Sequence, residues 1–298
     1  MRITSNMMHR DTINSLNNAA SLMNKYNKQL LSGKKVSKAS DDPIAMTSIL
    51  NSKREIRTIE QFEKNVSTAK SHLQTAEGAL TQISDIISRV NELTVQGANG
   101  TYDEKSRQAI SDEILELKKQ IGTLANTKYG DHYLFGGVDT KNAPFDTTGN
   151  TWVANPNANK RIEIEISEGV FVPLNIDGEE IFNGAGIGRN IFDLLDDIAT
   201  DILNGDADSL NDRIGQLDDV SDQLQQGISH IGSTNNRIDI VDSKNAEFKL
   251  NAQEDLSNKE DADVFELYIN LKSAETAYKS GLSVSSKILQ ISLIDYLR

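Results

Sequence analysis

The sequence predicts a mainly α protein: an elongated, coiled-coil-like helical bundle built from both chain ends, with a small inserted β domain. Apolar residues recur every three or four positions over long stretches of both halves, which is the spacing that packs one helix against another. The segment 130–189 holds nine of the 19 glycines and three of the four prolines, so helix cannot dominate there. The chain enters and leaves this segment through helical patterns, which predicts that the flanking helices lie side by side.

The composition narrows the functional classes before any motif is considered. The 298 residues include no cysteine, which excludes a disulfide framework, thiol catalysis, an iron–sulfur centre and a thiolate zinc site. The net charge of −13 argues against nucleic acid as a partner, because phosphate neutralisation needs clustered lysine and arginine. No apolar run approaches the roughly 20 residues that cross a bilayer, and the amino terminus does not resemble a secretory signal. We therefore expect no membrane partner.

The first helix is predicted from a short apolar repeat. Residues 13–30 carry apolar side chains at heptad spacing, namely Ile13, Leu16, Ala20, Met23 and Leu30. An isolated helix of this length is marginal in water, so its stripe must pack against a partner. The pattern leaves open whether that partner is the other chain end or another molecule.

The second helix has the strongest pattern in the chain. Asp42 offers an N-cap and Pro43 suits a first helical position, so the helix is predicted to start near Ile44 and to end near Gly97 and Gly100. Such a helix is about 80 Å long at about 1.5 Å per residue, which predicts an elongated molecule. Its apolar positions alternate at spacings of three and four: Ile59, Phe62, Val66, Ala69, Leu73, Ala76, Leu80, Ile83, Ile87 and Val90.

A capping box at Thr101 and Glu104 predicts a third helix, which Gly130 is placed to stop. The insert then begins. Alternating residues at 161–166 and a β-branched run at 170–176 predict strands. Asp177-Gly178 is typical of a hairpin turn before a further strand at 179–182.

The carboxyl-terminal half returns to helical spacing. The repeat from Leu210 onwards is less strict, and a second capping box at Ser257 and Glu260 predicts the start of a last helix. Apolar residues of that helix recur at Val264, Tyr268, Leu271, Tyr278, Leu282, Leu289 and Leu293. The predicted organisation has three parts: residues 1–40 with 260–298 as terminal axial helices that are disordered in the monomer, 41–129 with 190–259 as a rod bundle, and 130–189 as the β-rich insert.

Catalytic and metal-binding patterns are weak, so we predict no enzyme, no metal site and no cofactor. The four histidines lie far apart in sequence and lack the spacing of metal ligands or of a catalytic triad. Asp41-Asp42 ahead of Pro43 is better explained as a turn and helix cap than as an acid–base pair. The aspartates between 196 and 208 miss the ligand spacing of a calcium loop.

Both chain ends resemble the flagellin family, over about 130 amino-terminal and 45 carboxyl-terminal residues. The amino-terminal motifs are Ser32-Gly33-Lys34-Lys35-Val36, Ala39-Ser40-Asp41-Asp42-Pro43, Glu77-Gly78-Ala79-Leu80, Leu124-Ala125-Asn126-Thr127 and Tyr133-Leu134-Phe135-Gly136-Gly137. The carboxyl-terminal motifs are Glu260-Asp261-Ala262-Asp263 and the run 284–297. The Asp-Asp-Pro form, the Met-Arg-Ile-Thr start, the Tyr-Leu-Phe-Gly-Gly run and the small insert look more like the branch of the family that joins hook to filament.

The resemblance implies a structural adaptor that polymerises through its terminal helices. Its implied partners are the first hook-associated protein, flagellin, further copies of itself in a ring and a dedicated export chaperone. It further implies export by the flagellar type III apparatus to the extracellular flagellum. The residues expected to mediate assembly are Ile3, Ile13, Leu16, Met23, Leu30, Asp41, Asp42, Pro43, Val264, Tyr268, Leu271, Leu282, Leu289, Leu293 and Leu297.

Two other functions fit parts of the pattern. A flagellin, the filament subunit itself, would form long filaments alone. A cytoplasmic coiled-coil scaffold or signalling protein would explain the heptads but not the motifs at both ends. An enzyme carried on the insert would need a pocket of convergent polar groups, and the insert offers only scattered carboxylates such as Glu163 and Glu165.

Overall fold

The computed structural model describes residues 5–99, 102–153, 160–183 and 190–296. Within these ranges the chain forms helices and three two-stranded antiparallel sheets, and it divides into two units. The terminal unit comprises Met1–Thr58 and Glu247–Arg298, and the central unit comprises Ile59–Ala246. The helices are α1 (Ser5–Ser32), α2 (Pro43–Ala98), α3 (Glu104–Ala125), α4 (Gly178–Phe182), α5 (Ile191–Asn204), α6 (Ala207–Glu260) and α7 (Val264–Tyr296). The strands are β1 (Lys128–Tyr129), β2 (His132–Tyr133), β3 (Phe145–Asp146), β4 (Thr151–Trp152), β5 (Glu163–Ser167) and β6 (Val170–Pro173). The predicted mainly α class with a small β insertion is confirmed.

The core of the central unit is the apolar seam that the repeat predicts. Of the ten positions from Ile59 to Val90, all are buried except Phe62, which is half-buried. On α6 a heptad row faces the same core, with Leu210, Leu217, Leu224, Ile231 and Ile238 all buried. Burial of such a continuous seam is the main favourable term that holds these helices together.

The insert is anchored to the bundle by aromatic side chains. Phe145 packs against Phe192 with ring centroids 4.4 Å apart, and Trp152 packs against Phe182 at 4.9 Å. The side chain of Phe145 also lies directly over Gly122 of α3, where no side chain could fit. The insert therefore shares one hydrophobic core with α3 and α5.

The strands β5 and β6 form a hairpin where the alternating pattern predicted them, and Glu165 faces Phe171 in its register. The third predicted strand is wrong. Asp177 accepts hydrogen bonds at Oδ1 from the backbone N–H groups of Glu179 and Glu180, at 3.0 and 3.2 Å. These bonds make Asp177 the N-cap of α4, so the Asp-Gly pair begins a helix instead of a hairpin turn.

Two further boundaries differ from the prediction because other residues cap the helices. Asp103 caps α3 by accepting from Ser106 N–H at 3.0 Å, and Thr101 lies outside the described residues. At the end of α3, Asn126 is the C-cap, while Gly130 has a left-handed φ of +60° in the β1–β2 turn. Our sequence prediction placed the stop four residues late, because a glycine suits a hairpin as well as a helix end.

No helix in the described part of the chain is both long and apolar enough to cross a membrane.

Candidate assembly surface

In the terminal unit, α1 and α7 pack against each other as an antiparallel pair, here called the terminal pair. Leu16 of α1 lies beside Gly281 of α7, and Lys34 after α1 forms an antiparallel bridge with Asp261 before α7. Each helix therefore provides a surface against which the other can bury apolar residues. A helix of this length needs such packing because it is only marginally stable alone in water. The predicted disorder of these ends before assembly stays a prediction.

The seam of the terminal pair follows alternating spacings of three and four on both helices. The less exposed positions of α1 that follow this spacing are Thr12, Leu16, Ala19, Met23, Tyr26 and Leu30, and the adjacent Ala20 and Gln29 are shielded as well. Those of α7 are Leu267, Leu271, Ala274, Tyr278, Gly281 and Ser285, and the adjacent Asn270 and Glu275 are partly shielded. Several α7 positions are small. An added Cβ at Gly281 would lie 3.1 Å from Leu16 Cδ2, so the glycine permits the close approach of α1 at this point.

Large apolar side chains also lie outside the seam. Phe265 and Ile269 are 83% and 66% exposed on α7. The two residues are four positions apart and so lie on one face of the helix, and exposed apolar patches mark sites of association with other molecules. We call the following residues the exposed apolar set: Ile13, Leu22, Leu31, Val264, Phe265, Tyr268, Ile269, Leu282 and Val284.

The structure divides the residues that we predicted to form one stripe. Leu16, Met23, Leu30 and Leu271 lie in the seam of the terminal pair, whereas Ile13, Val264, Tyr268 and Leu282 are exposed. These residues therefore differ in exposure within the folded chain, because α7 carries apolar residues on both sides and only one side faces α1. Their predicted role in assembly stays a prediction. Ile3 and Leu297 lie outside the described residues, as do the side chains of Leu289 and Leu293.

The loops next to the terminal pair meet at a buried carboxylate. Glu260 Oε1 contacts Lys34 Nζ at 2.7 Å and Lys53 Nζ at 2.6 Å, and the Glu260 side chain is only 8% exposed. The backbone closes the same junction: Lys35 N–H donates to Glu260 O at 2.7 Å, and Ala262 N–H donates to Gly33 O at 3.0 Å. Gly33 has a left-handed φ of +68°, which glycine adopts at little cost. We call Lys34, Lys53 and Glu260 the Glu260 cluster.

The electrostatics of the cluster favour the charged forms of its members. Burial raises the pKa of the Glu260 carboxyl, but hydrogen bonds from Lys34 and Lys53 outweigh burial, so the pKa lies below its usual value. The same hydrogen bond to Glu260 raises the pKa of Lys34. Glu260 is therefore an ionised acceptor that joins the α1–α2 connection, α2 and the end of α6.

Glu260 was predicted in another role, as part of a capping box with Ser257. That prediction is wrong, because α6 continues without a break to Glu260 and α7 is capped by Asp263, which accepts from Phe265 N–H at 2.8 Å. The signal that could have identified the cluster is charge. A Lys-Lys pair in the amino-terminal motif matches a Glu-Asp pair in the carboxyl-terminal motif, and the structure brings these two motifs together.

Asp41, Asp42 and Pro43 shape the chain locally. Asp42 Oδ1 accepts from Ala45 N–H at 2.9 Å and caps α2, whose first residue is Pro43. Asp41 Oδ2 accepts from Lys38 N–H at 3.1 Å and closes the preceding turn. The three residues therefore direct the chain from the terminal pair into α2. Their predicted role in binding a partner stays a prediction.

Other polar clusters have structural partners. His72 packs on the Tyr129 ring at a centroid distance of 4.1 Å, and its pKa is lowered first by burial and then by His132. Asp197 and Asp201 both pair with Arg213. The described residues contain no group of three or more side chains that could hold a metal ion.

Comparison with known proteins agrees with the motifs at both ends. Residues 3–140 match the family model of the bacterial flagellin N-terminal helical region. Flagellar hook-associated protein 3 of Escherichia coli is 25% identical over 287 residues, covering 88% of this chain and 89% of that protein. Flagellin of Bacillus subtilis is 28% identical over 249 residues, covering 80% of each.

A solved structure shares the fold. The flagellar junction protein FlgL of Legionella pneumophila superposes with a TM-score of 0.60 at 16% identity, covering 72% of this chain and 100% of that one. The resemblance to the flagellin family is thus confirmed. The chain carries a bacterial flagellin N-terminal helical region, and the proteins that it resembles along most of its length are components of the bacterial flagellum.

Proposed function

We propose that this protein is a structural adaptor of the bacterial flagellum that joins the hook to the flagellin filament. The observation that carries the proposal is the terminal unit, in which both chain ends form one antiparallel pair with large apolar residues left exposed. The similarity to hook-associated protein 3 along most of both chains supports the same role. The relatives are structural proteins, and the adaptor needs no catalytic residue.

Assembly proceeds through the exposed apolar set. Side chains such as Phe265 and Ile269 are removed from water when a neighbouring molecule covers them. This burial stabilises the contact by about 25 cal/mol for each Å² of apolar surface. The partners are the first hook-associated protein on one side, flagellin on the other and further copies of the chain in a ring. An export chaperone binds the carboxyl-terminal region beforehand, and the flagellar type III apparatus carries the protein to the extracellular flagellum.

The test combines localisation with a substitution on the exposed apolar set. A strain that lacks the protein is complemented with the wild type or with the double variant Phe265→Asp/Ile269→Asp, and sheared flagella are examined by electron microscopy with gold-labelled antibody. We expect wild-type label in a short zone where hook meets filament, and flagellin lost to the medium in the deletion strain. The double variant should be exported but absent from hooks, because buried carboxylates without partners oppose assembly.

The matched control is Ser273→Asp, at an exposed polar position of the same helix, which should assemble like the wild type. Normal assembly of Phe265→Asp/Ile269→Asp would contradict a role for these residues. Label absent from all flagella would contradict the adaptor function itself and would favour a cytoplasmic scaffold.

Flagellin is the second candidate, because the Bacillus subtilis protein is 28% identical over 80% of this chain. A flagellin would polymerise alone into long filaments, and its label would run along the whole filament. An adaptor needs hook and flagellin ends and stays confined to their boundary. The same micrographs therefore distinguish the two functions.

A further inference from the structure

Glu260 lies where three parts of the terminal unit converge. Its carboxylate contacts Lys34, which follows α1, and Lys53, which lies on α2, while its own backbone ends α6. Both lysines bind the same oxygen, Oε1, at 2.7 and 2.6 Å. Without this carboxylate, the two ammonium groups would face each other at the junction with no shared counter-charge.

The junction also determines the register of the terminal pair. The backbone bonds between Lys35 and Glu260 and between Ala262 and Gly33 hold the two loops at one fixed pairing. The helices α1 and α7 leave directly from these loops. Because an α-helix has 3.6 residues per turn, a slip of one residue would rotate the contacting face by about 100°. Part of the exposed apolar set would then turn towards the seam, and the face presented to other molecules would change.

Close packing at Gly281, the smallest residue of the seam, fits only the observed register. Leu16 lies over Gly281, where even a Cβ would come within 3.1 Å of it. A slip of one position would place Leu16 against Leu282, a much larger side chain that is exposed in the observed register. The Glu260 cluster at one end and the Leu16–Gly281 contact farther along thus require the same alignment.

We propose that Glu260 is a positioning residue that sets the register of the terminal pair and thereby determines which apolar face is presented for assembly. The inference rests on the proposed function for its second half, since it names the residue that orients the assembly surface. Glu260 acts through its ion pairs with Lys34 and Lys53.

The absence of cysteine from the chain makes disulfide formation a clean measure of register. Two full-length double variants are compared under mild oxidation: Leu16→Cys/Gly281→Cys reports the observed register, and Leu16→Cys/Leu282→Cys reports a slip of one residue. In the observed register, Leu16 Cγ lies 3.5 Å from an ideal Cβ at position 281, which is close enough for a disulfide after small adjustments. We expect the first pair to form at least about ten times faster than the second.

Each pair is then combined with Glu260→Gln, which keeps the shape of the side chain but removes its charge. We expect the ratio of the two rates to fall to within about a factor of two, and the Glu260→Gln protein to join purified hooks poorly. Removing Lys53 as well, in Glu260→Gln/Lys53→Gln, should add little, because the charge that Lys53 contacts is already absent. The control is Glu254→Gln, at an exposed position of the same helix.

A merely stabilising role for Glu260 would lower the melting temperature of Glu260→Gln but leave the ratio of rates unchanged, and that result would overturn the proposal. A wild-type ratio near one would also overturn it, because the register would not then be set in the free chain. The proposal would also be overturned if the ratio of rates fell in Glu260→Gln while that protein still bound hooks normally. Failure of the wild type to bind hooks despite a high ratio would instead count against the proposed function alone.

Discussion

At the scale of single residues, two helical glycines of the central unit have opposite environments. An added Cβ at Gly122 would collide with the Phe145 ring, whereas Gly78 on α2 has open space around it. The first glycine is required by the packing of the insert, and the second only lowers the stability of its helix. The motif Glu77-Gly78-Ala79-Leu80 therefore includes a glycine that the packing of this chain does not require.

The contrast predicts opposite effects of the same substitution. Gly122→Ala should lower the free energy of unfolding by about 1–3 kcal/mol, because the Phe145 ring must move out of its place. Gly78→Ala should raise it by about 0.5–1 kcal/mol, because alanine is the better helix former. Urea denaturation of the full chain measures both, and destabilisation by Gly78→Ala would contradict the open environment of that position.

A buried lysine gives a second prediction at this scale. Lys118 is 3% exposed on α3, and its Nζ contacts Asp196 Oδ2 at 2.6 Å. Asp196→Ala should cost about 3 kcal/mol, because it leaves the buried ammonium without its partner, while Lys118→Met should cost less than about 1 kcal/mol. Thermal denaturation of both variants checks the order. An equal loss in both would show that the ammonium reaches water once Asp196 is removed.

At the scale of elements, the terminal helices show why a heptad pattern identifies a helix better than its partner. On α7, Val264, Tyr268 and Leu282 repeat as regularly as the seam residues, yet they are exposed. The smaller Ala274 and Gly281 face α1, because close approach of two helices depends on small side chains as well as on apolar ones. The spacing of apolar residues along the sequence gives no information on the distance between the two helices.

The Glu260 cluster predicts how the stability of the protein changes at acidic pH. The pKa of Glu260 is lower in the folded chain than the usual value, so its contribution to stability is in place above the unfolded carboxyl pKa of about 4.3. That contribution is lost as the pH falls through the lower, folded pKa. Melting temperatures of the wild type should therefore fall more between about pH 5 and 3 than those of Glu260→Gln.

The comparison with Glu254→Gln isolates this effect from the other carboxylates. Glu254 is exposed on the same helix, and its removal should leave the acid profile like that of the wild type. Parallel profiles for Glu260→Gln and the wild type would show that the contacts to Lys34 and Lys53 contribute no pH-dependent stability.

At the scale of the whole molecule, charge is distributed unevenly between the two units. The terminal unit carries 16 Lys and Arg against 13 Asp and Glu, whereas the central unit carries 15 against 31. Ten of those acidic residues, and only one basic residue, lie between positions 190 and 222. Copies of the protein placed side by side in a ring would repel each other through the central units.

This asymmetry predicts that salt accelerates assembly. Hook binding should be slow at about 0.01 M salt, where the screening length is about 30 Å, and faster at about 0.15 M, where it is about 8 Å. The variant Asp212→Asn/Asp219→Asn/Asp222→Asn removes three exposed charges of α6, so its binding should depend less on salt. Rates measured by sedimentation with purified hooks check this, and a rate that falls with salt in the wild type would contradict repulsion.

The class of the fold and most of its helices follow from patterns in the sequence alone. Ten apolar positions from Ile59 to Val90 define one face of α2 whatever surrounds it, and Asp42 with Pro43 marks its start through local hydrogen bonding alone. The motifs at both ends likewise predicted a flagellar protein. Each of these features depends on neighbours within a few positions of the chain, and periodicity or capping chemistry captures such neighbours directly.

Which residues meet across the chain depends instead on the packing of elements that are distant in sequence. Asp177 could begin a hairpin or cap a helix, and Glu260 could close a capping box or pair with Lys34 and Lys53. In both cases the local sequence is compatible with either structure, and contacts with distant elements select between them. The division of α7 into a face that packs on α1 and a face that stays exposed has the same origin, because burial depends on the approach of a helix more than 200 positions away in the sequence.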